Sequence, residues 1–214
     1  MDNAFKEELL QTQLETQEYS FNQISRELHD NIGQLLSTTK LLLGMAVMEL
    51  ENVPDTLKTA EQTVGKAIQD LRLLSKSLDK EWLHQFNLIE YLEAEKERIN
   101  AERKVEVNFV SEYIRLPMEP ETQVMLFRVV QEALQHSIKQ ACAKHIGMEI
   151  NDANNNFELK ILDDGNGFNI ESLKKESLDL HNIEYRTQLL GGSIEYSRRK
   201  EKGTMITITL PVNK

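Results

Sequence analysis

The sequence predicts two architectures in one chain: a helical hairpin over residues 1–80, then an α+β sandwich over residues 88–214. Three observations carry this. From Phe5 to Leu50 there is no proline, and apolar residues recur at helical spacing through Phe21, Ile24, Leu28, Ile32, Leu35 and Leu42. A second run, Leu57, Ala60, Val64, Ala67, Leu71, Leu74 and Leu78, keeps a three-four spacing. After Leu88 the pattern changes, and alternating strands such as Val105, Val107 and Phe109 appear between shorter helices.

The elements follow in order. Asn52-Val53-Pro54-Asp55 interrupts the first helical run, with Pro54 and Asp55 suited to open the next one. Two long helices joined by a short turn make an antiparallel hairpin with too little core to stand alone. A second copy completes a four-helix bundle, so a homodimer is expected; closure by later segments of the same chain is the alternative. Trp82 and Phe86 mark residues 81–87 as a linker that packs.

A helix from Leu88 to Arg103 then leads into the Val105 strand, and Pro117 and Pro120 introduce a helix reaching about Ala141. Strands at Ile146–Ile150 and Phe157–Ile161 flank a turn at Asn154-Asn155-Asn156. A glycine-rich loop, a short helix ending at Leu190-Gly191-Gly192, and strands at Ile194–Ser197 and Thr204–Leu210 close the chain.

The formal net charge of -10 gives a phosphate backbone nothing to bind, so nucleic acid is not an expected partner. The single cysteine, Cys142, excludes an internal disulfide or a multi-thiolate metal site, and it is expected as a small buried residue in a helix. No stretch approaches the ~18–20 apolar residues of a membrane span. A cytoplasmic location is therefore expected, compatible with an upstream sensor or membrane segment outside these residues. His84, His145 and His181 share no ligand spacing, and Arg198-Arg199-Lys200 reads as a solvated hairpin tip.

Chemistry concentrates first in Ser25-Arg26-Glu27-Leu28-His29-Asp30-Asn31-Ile32-Gly33-Gln34. With Leu28, Ile32 and Leu35 on the seam, His29, Asp30 and Gln34 fall within an arc of about 140° at about 100° per residue. An unprotonated imidazole nitrogen can accept a phosphoryl group, and an adjacent carboxylate can orient the ring or take its proton. An amide one turn on can position a water for the reverse step. Spacing alone equally allows a solvated polar face.

The segment Glu27-Leu28-His29-Asp30-Asn31-Ile32-Gly33-Gln34 resembles the phosphoacceptor box of the sensor histidine kinases that partner NarL-type response regulators. The resemblance implies that His29 is phosphorylated, that Asp30 is its neighbouring acid, and that Gln34 serves dephosphorylation of the regulator. It continues through Val130-Gln131-Glu132-Ala133-Leu134, similar to the N box, and Asp163-Asp164-Gly165-Asn166-Gly167-Phe168, similar to the first glycine box. Leu189-Leu190-Gly191-Gly192 and Gly203-Thr204 resemble the end of an ATP-binding domain of the GHKL (HATPase) type. The implied site holds ATP through Asp163, Gly165, Gly167, His136, Lys139 and Thr204, with Glu132 catalytic and toward Mg2+; the implied partner is a response-regulator receiver domain. Gly165 and Gly167 also read independently as positions where a ligand can approach the main chain.

Three departures from the family pattern stand out. The N-box Asn that holds Mg2+ is replaced by His136, and imidazole is a poor ligand for a cation that prefers hard oxygen. A Lys-His pair reads Lys139-Gln140. The lid's Gly-x-Gly-Leu reads Ser177-Leu178-Asp179-Leu180, placing an acid near where triphosphate would lie. The expected function is autophosphorylation on His29 and transfer to a regulator aspartate. The alternative is a pseudokinase dimer acting as a regulator phosphatase or docking scaffold.

Overall fold

The computed structural model describes residues 16, 19–153, 156–166, 178–199 and 202–211. The chain divides into two compact units, residues 1–85 and 86–214.

The first unit is a helical hairpin. Residues 19–27 are α-helical, and the helix continues through a π turn, Leu28–Ile32, into α1, Gly33–Glu49. Glu27, Ile32 and Gly33 all keep right-handed helical backbone, so the π turn is an insertion in one rod and not a break. Leu50 is extended and ends α1. Pro54, also extended, precedes α2, Asp55–Ser77, and its carbonyl accepts from the Leu57 N–H at 3.0 Å. Pro54 has no N–H to lose at a helix start, where such donors lack helical partners. The linker residues form a short helix, α3, Lys80–Gln85, in which Trp82 lies 5.9 Å below the Lys76 ammonium.

Ile68 and Leu73 are buried in the hairpin. Ser25 and Ser75 join its two arms reciprocally, each hydroxyl lying 2.9 Å from the other residue's carbonyl oxygen. Small side chains let the helices approach closely enough for that bond. The outer face is apolar and uncovered: Ile32 is 44%, Leu35 64% and Leu42 60% exposed. The residues expected on a buried seam therefore face outward in the single chain, as a contact surface does.

Among the described residues the second unit sets three helices against one sheet. Asn87 caps α4, Leu88–Ala101, accepting from Ile89 N–H, while its own amide donates to Glu90, three residues on. At the far end Asn100 bonds both the N–H and the carbonyl of Val107, tying α4 to β1, Glu106–Ser111. Helix α5, Pro120–Lys139, begins with proline at its first position and buries an almost continuous stripe through Leu126, Val130, Ala133 and Leu134. Then come β2, His145–Ala153; β3, Asn156–Asp163; α6, Leu178–Leu189; β4, Ser193–Arg198; and β5, Thr204–Pro211.

The strand order is β1-β2-β3-β5-β4, parallel between β1 and β2 and antiparallel elsewhere. In β3 and β5 every second residue is buried, Phe157, Leu159 and Ile161 facing the same core as Ile206, Ile208 and Leu210. Strands β2 and β3 outrun the hydrophobic alternation because Asp152 still pairs with Phe157, and polar residues cost a ladder little at a hairpin end. Cys142 is not the buried helical residue expected. Helix α5 stops at Lys139, and Cys142 takes φ 55 in the turn beyond, exposed.

Candidate active site

Two sites take shape, one in each unit. In the hairpin, His29, Asp30 and Gln34 are exposed, and none of their side chains makes a hydrogen bond or ion pair among the described residues. His29 and Asp30 stand within the π turn, which Gly33 N–H closes onto Leu28 O. On a regular helix, His29 and Gln34 would sit about 140° apart. A π turn spans five residues per hydrogen bond, so it draws them toward one side, and such turns gather at functional sites. Both line a groove of about 330 Å3 with Gly33, Ser37, Leu71 and Arg72; Asp30 is not in its lining. Helical spacing alone could not disclose the inserted residue, nor Arg72 on the opposite arm.

In the second unit, β3 delivers Asp163 to the sheet's end, 1% exposed. Its Oδ1 accepts from Gly165 N–H at 2.8 Å and Thr204 N–H at 3.3 Å, and its Oδ2 from the Ser137 hydroxyl at 3.2 Å. Gly203 makes this closure possible: it has φ +98, and a Cβ there would lie 1.9 Å from the Asp163 carbonyl oxygen. Gly165 is similarly constrained, since its Cβ would come within 2.5 Å of Ala141 O. Thr204 Oγ1 is buried with no hydrogen-bond partner among the described residues. A buried carboxylate beside an unsatisfied hydroxyl fits the polar edge of a purine, so the adenine end of the expected nucleotide site is chemically suited to ATP.

Asp164 turns the other way. Burial opposes its ionisation. The backbone N–H and ring of His145 and the N–H of Lys144 outweigh that and hold its carboxyl well below the usual carboxylate range.

The phosphate end is different. Glu132 on α5 is buried, and Arg186 of α6 donates to its Oε2 at 3.1 Å while Asn182 donates to Oε1 at 3.4 Å. His136, one turn along α5, is 4% exposed, and Lys139 lies exposed on the last turn. Both oxygens of the one acid in this stretch are engaged, and its helical neighbour offers nitrogen. Among the described residues no cluster of three or more His, Cys, Asp or Glu is placed to hold a metal ion. This donor set does not fit Mg2+. Gly167 and Ser177 lie outside the described residues, as does the side chain of Asp179.

Ser137, Arg186 and Arg199 of this unit were not foreseen either. Ser137 is a fully buried hydroxyl in an apolar helical stripe, which was its only signal. Arg186 lies 54 residues from its partner Glu132. Arg199, read as a solvated hairpin tip, donates to the Asp163 carbonyl at 3.0 Å.

Comparison with known proteins decides the family. Residues 22–82 match the family described as histidine kinase, and residues 121–214 match the histidine kinase-, DNA gyrase B- and HSP90-like ATPases. The chain belongs to the sensor histidine kinases.

The chain is 25% identical over 214 residues to the oxygen sensor histidine kinase NreB of Staphylococcus carnosus, covering 99% of this chain and 62% of that protein. It is 27% identical over 213 residues to the signal transduction histidine-protein kinase/phosphatase DegS of Brevibacillus brevis, covering 93% and 53% respectively. The chain thus spans little more than half the length of such relatives. The histidine kinase domain of the Erythrobacter litoralis EL346 blue-light-activated histidine kinase shares the fold, with a TM-score of 0.53 and 16% identity over 84% of this chain and 94% of that one. Acinetobacter baumannii histidine kinase AdeS does likewise, at TM-score 0.53 and 16% identity over 87% and 98%. Among the described residues no helix is long and apolar enough to cross a membrane.

Proposed function

We propose that the chain phosphorylates itself on His29 at the expense of ATP and passes the phosphoryl group to the aspartate of a NarL-type receiver domain. Residues 1–80 serve as the dimerisation and phosphoacceptor hairpin, residues 81–87 as linker and residues 88–214 as the ATP-binding domain. The observation that carries the reading is the shared groove of His29, within the π turn, and Gln34, just after it: a nucleophile and a water-positioning amide whose side chains are both unengaged among the described residues.

The chemistry asks little covalent work of the protein. ATP, when bound, supplies the γ-phosphoryl group. His29 contributes a ring-nitrogen lone pair, and Asp30, beside it in sequence, takes up or orients the proton on the other ring nitrogen. Asp163 accepts from the purine amino group, with Thr204 Oγ1 and the Ser137 hydroxyl in the same polar pocket. The apolar face through Ile32, Leu35 and Leu42 supports a homodimer built as a four-helix bundle.

One observation favours a second reading. Glu132 is bound to Arg186 and its neighbour is His136, which leaves no oxygen set for Mg2+ among the described residues. In that reading the chain is a regulator phosphatase acting through Gln34. Both are tested with a purified NarL-type receiver. In the kinase reading, label from γ-labelled ATP appears first on this chain and then on the receiver; a receiver that stays unlabelled contradicts transfer. In the phosphatase reading, a phosphorylated receiver loses its label faster with this chain present, and Gln34→Ala abolishes that gain.

A further inference from the structure

We infer that Arg72 is the phosphoryl-binding residue of the acceptor groove, holding the anion that His29 receives; this rests on the reading of His29 as acceptor. Arg72 reaches the groove from α2, the opposite arm of the hairpin. It is exposed, and its side chain makes no hydrogen bond or ion pair among the described residues. Arg98, Arg186 and Arg199, by contrast, are bound to Glu95, Glu132 and the Asp163 carbonyl.

The rest of the lining makes the guanidinium decisive. No Asp or Glu is among the lining residues, although the chain as a whole carries a formal charge of -10. The Ser37 hydroxyl donates to Gly33 O at 2.7 Å, so its one proton is committed within its own helix. Gln34 offers a neutral amide. An incoming phosphoryl group therefore meets an acidic molecule whose acceptor groove presents one permanent cation, and planar guanidinium suits phosphate geometry. The π turn that brings His29 and Gln34 to one side leaves both lining the groove that Arg72 also lines.

The test uses phosphoramidate, a small anionic phosphoryl donor that bypasses the nucleotide site. His29 attacks phosphorus with its ring lone pair, the P–N bond of the donor breaks, its electron pair leaves with ammonia, and the ring's other N–H proton passes to solvent. Labelling of the full chain is followed at low and high salt for wild type, Arg72→Gln, Arg72→Lys and His29→Ala, with thermal unfolding of each. An exposed charge acts through screened electrostatics, so Arg72→Gln should slow labelling about three- to tenfold at low salt, with the gap closing at high salt and Tm unchanged. Arg72→Lys should recover part of the rate. Equal rates for Arg72→Gln and wild type at low salt would overturn the inference while leaving His29 as acceptor. So would a loss that is the same at both salt concentrations, which is the mark of a shape effect. A wild type that takes no label, or a His29→Ala that labels as well as wild type, would overturn the acceptor assignment and Arg72 with it.

Discussion

Arg186 holds Glu132 from the neighbouring helix, guanidinium nitrogen to carboxylate oxygen at 3.1 Å, with the acid's side chain only 7% exposed. A buried carboxylate survives in this state because a cation and an amide satisfy it. Removing one partner of such a pair leaves an uncompensated charge, so Arg186→Ala should destabilise the second unit by about 2–4 kcal/mol. Adding Glu132→Gln to Arg186→Ala should restore part of the loss. Thermal unfolding of the two single variants and the double variant reads this directly.

Asp163 accepts three hydrogen bonds, two of them from backbone. In Asp163→Asn one oxygen becomes an NH2 group facing donors, and the acceptor for a purine amino group is weakened. Nucleotide affinity, measured by calorimetry with ATP, should fall by about tenfold or more. Affinity unchanged in a folded variant would remove Asp163 from the site.

The reciprocal Ser25–Ser75 bond spans the two arms just before the π turn. Each serine mutated singly to alanine should destabilise the hairpin by about 1 kcal/mol, since the partner hydroxyl loses its mate in a part-buried setting. The double alanine variant should cost less than the sum of the two, because the second removal takes away a group already left unpaired. Circular dichroism during urea unfolding measures it.

Asp164 carries the clearest pH signature. Its folded carboxyl is depressed by donors from Lys144 and His145, so its contribution to stability is complete above the unfolded carboxylate value of about 4 and is lost as pH falls below that. Asp164→Asn should lower Tm at neutral pH and show a smaller further loss on acidification from pH 4 than wild type does. Parallel curves for the two proteins would contradict it.

Much of the fold is legible because its signals are local. Phe157, Leu159 and Ile161 alternate toward a strand end that leaves Asp163 at the sheet's edge, and Pro54 and Pro120 announce helix starts. What escapes the sequence depends on a position in three dimensions or on a one-residue irregularity. The π turn leaves the apolar spacing of Leu28, Ile32 and Leu35 intact, so nothing in that spacing reports it. Arg199 meets the Asp163 carbonyl while its own N–H bonds the carbonyl of Gly203, a pairing that residues far from Asp163 in sequence do not announce. Cys142 was expected in a helix because the apolar pattern runs on past Lys139, whereas the backbone there turns into the left-handed region. At the candidate site, the residues belonging to short motifs are readable and their partners from other elements, Arg72, Ser137 and Arg186, are not.

Whether His29 carries the phosphoryl group is read by autophosphorylation of the purified chain with γ-labelled Mg-ATP. The label should survive base, be lost in acid, and be absent from His29→Ala. A wild-type chain that takes up no such label, or a His29→Ala chain that keeps it, would contradict the account.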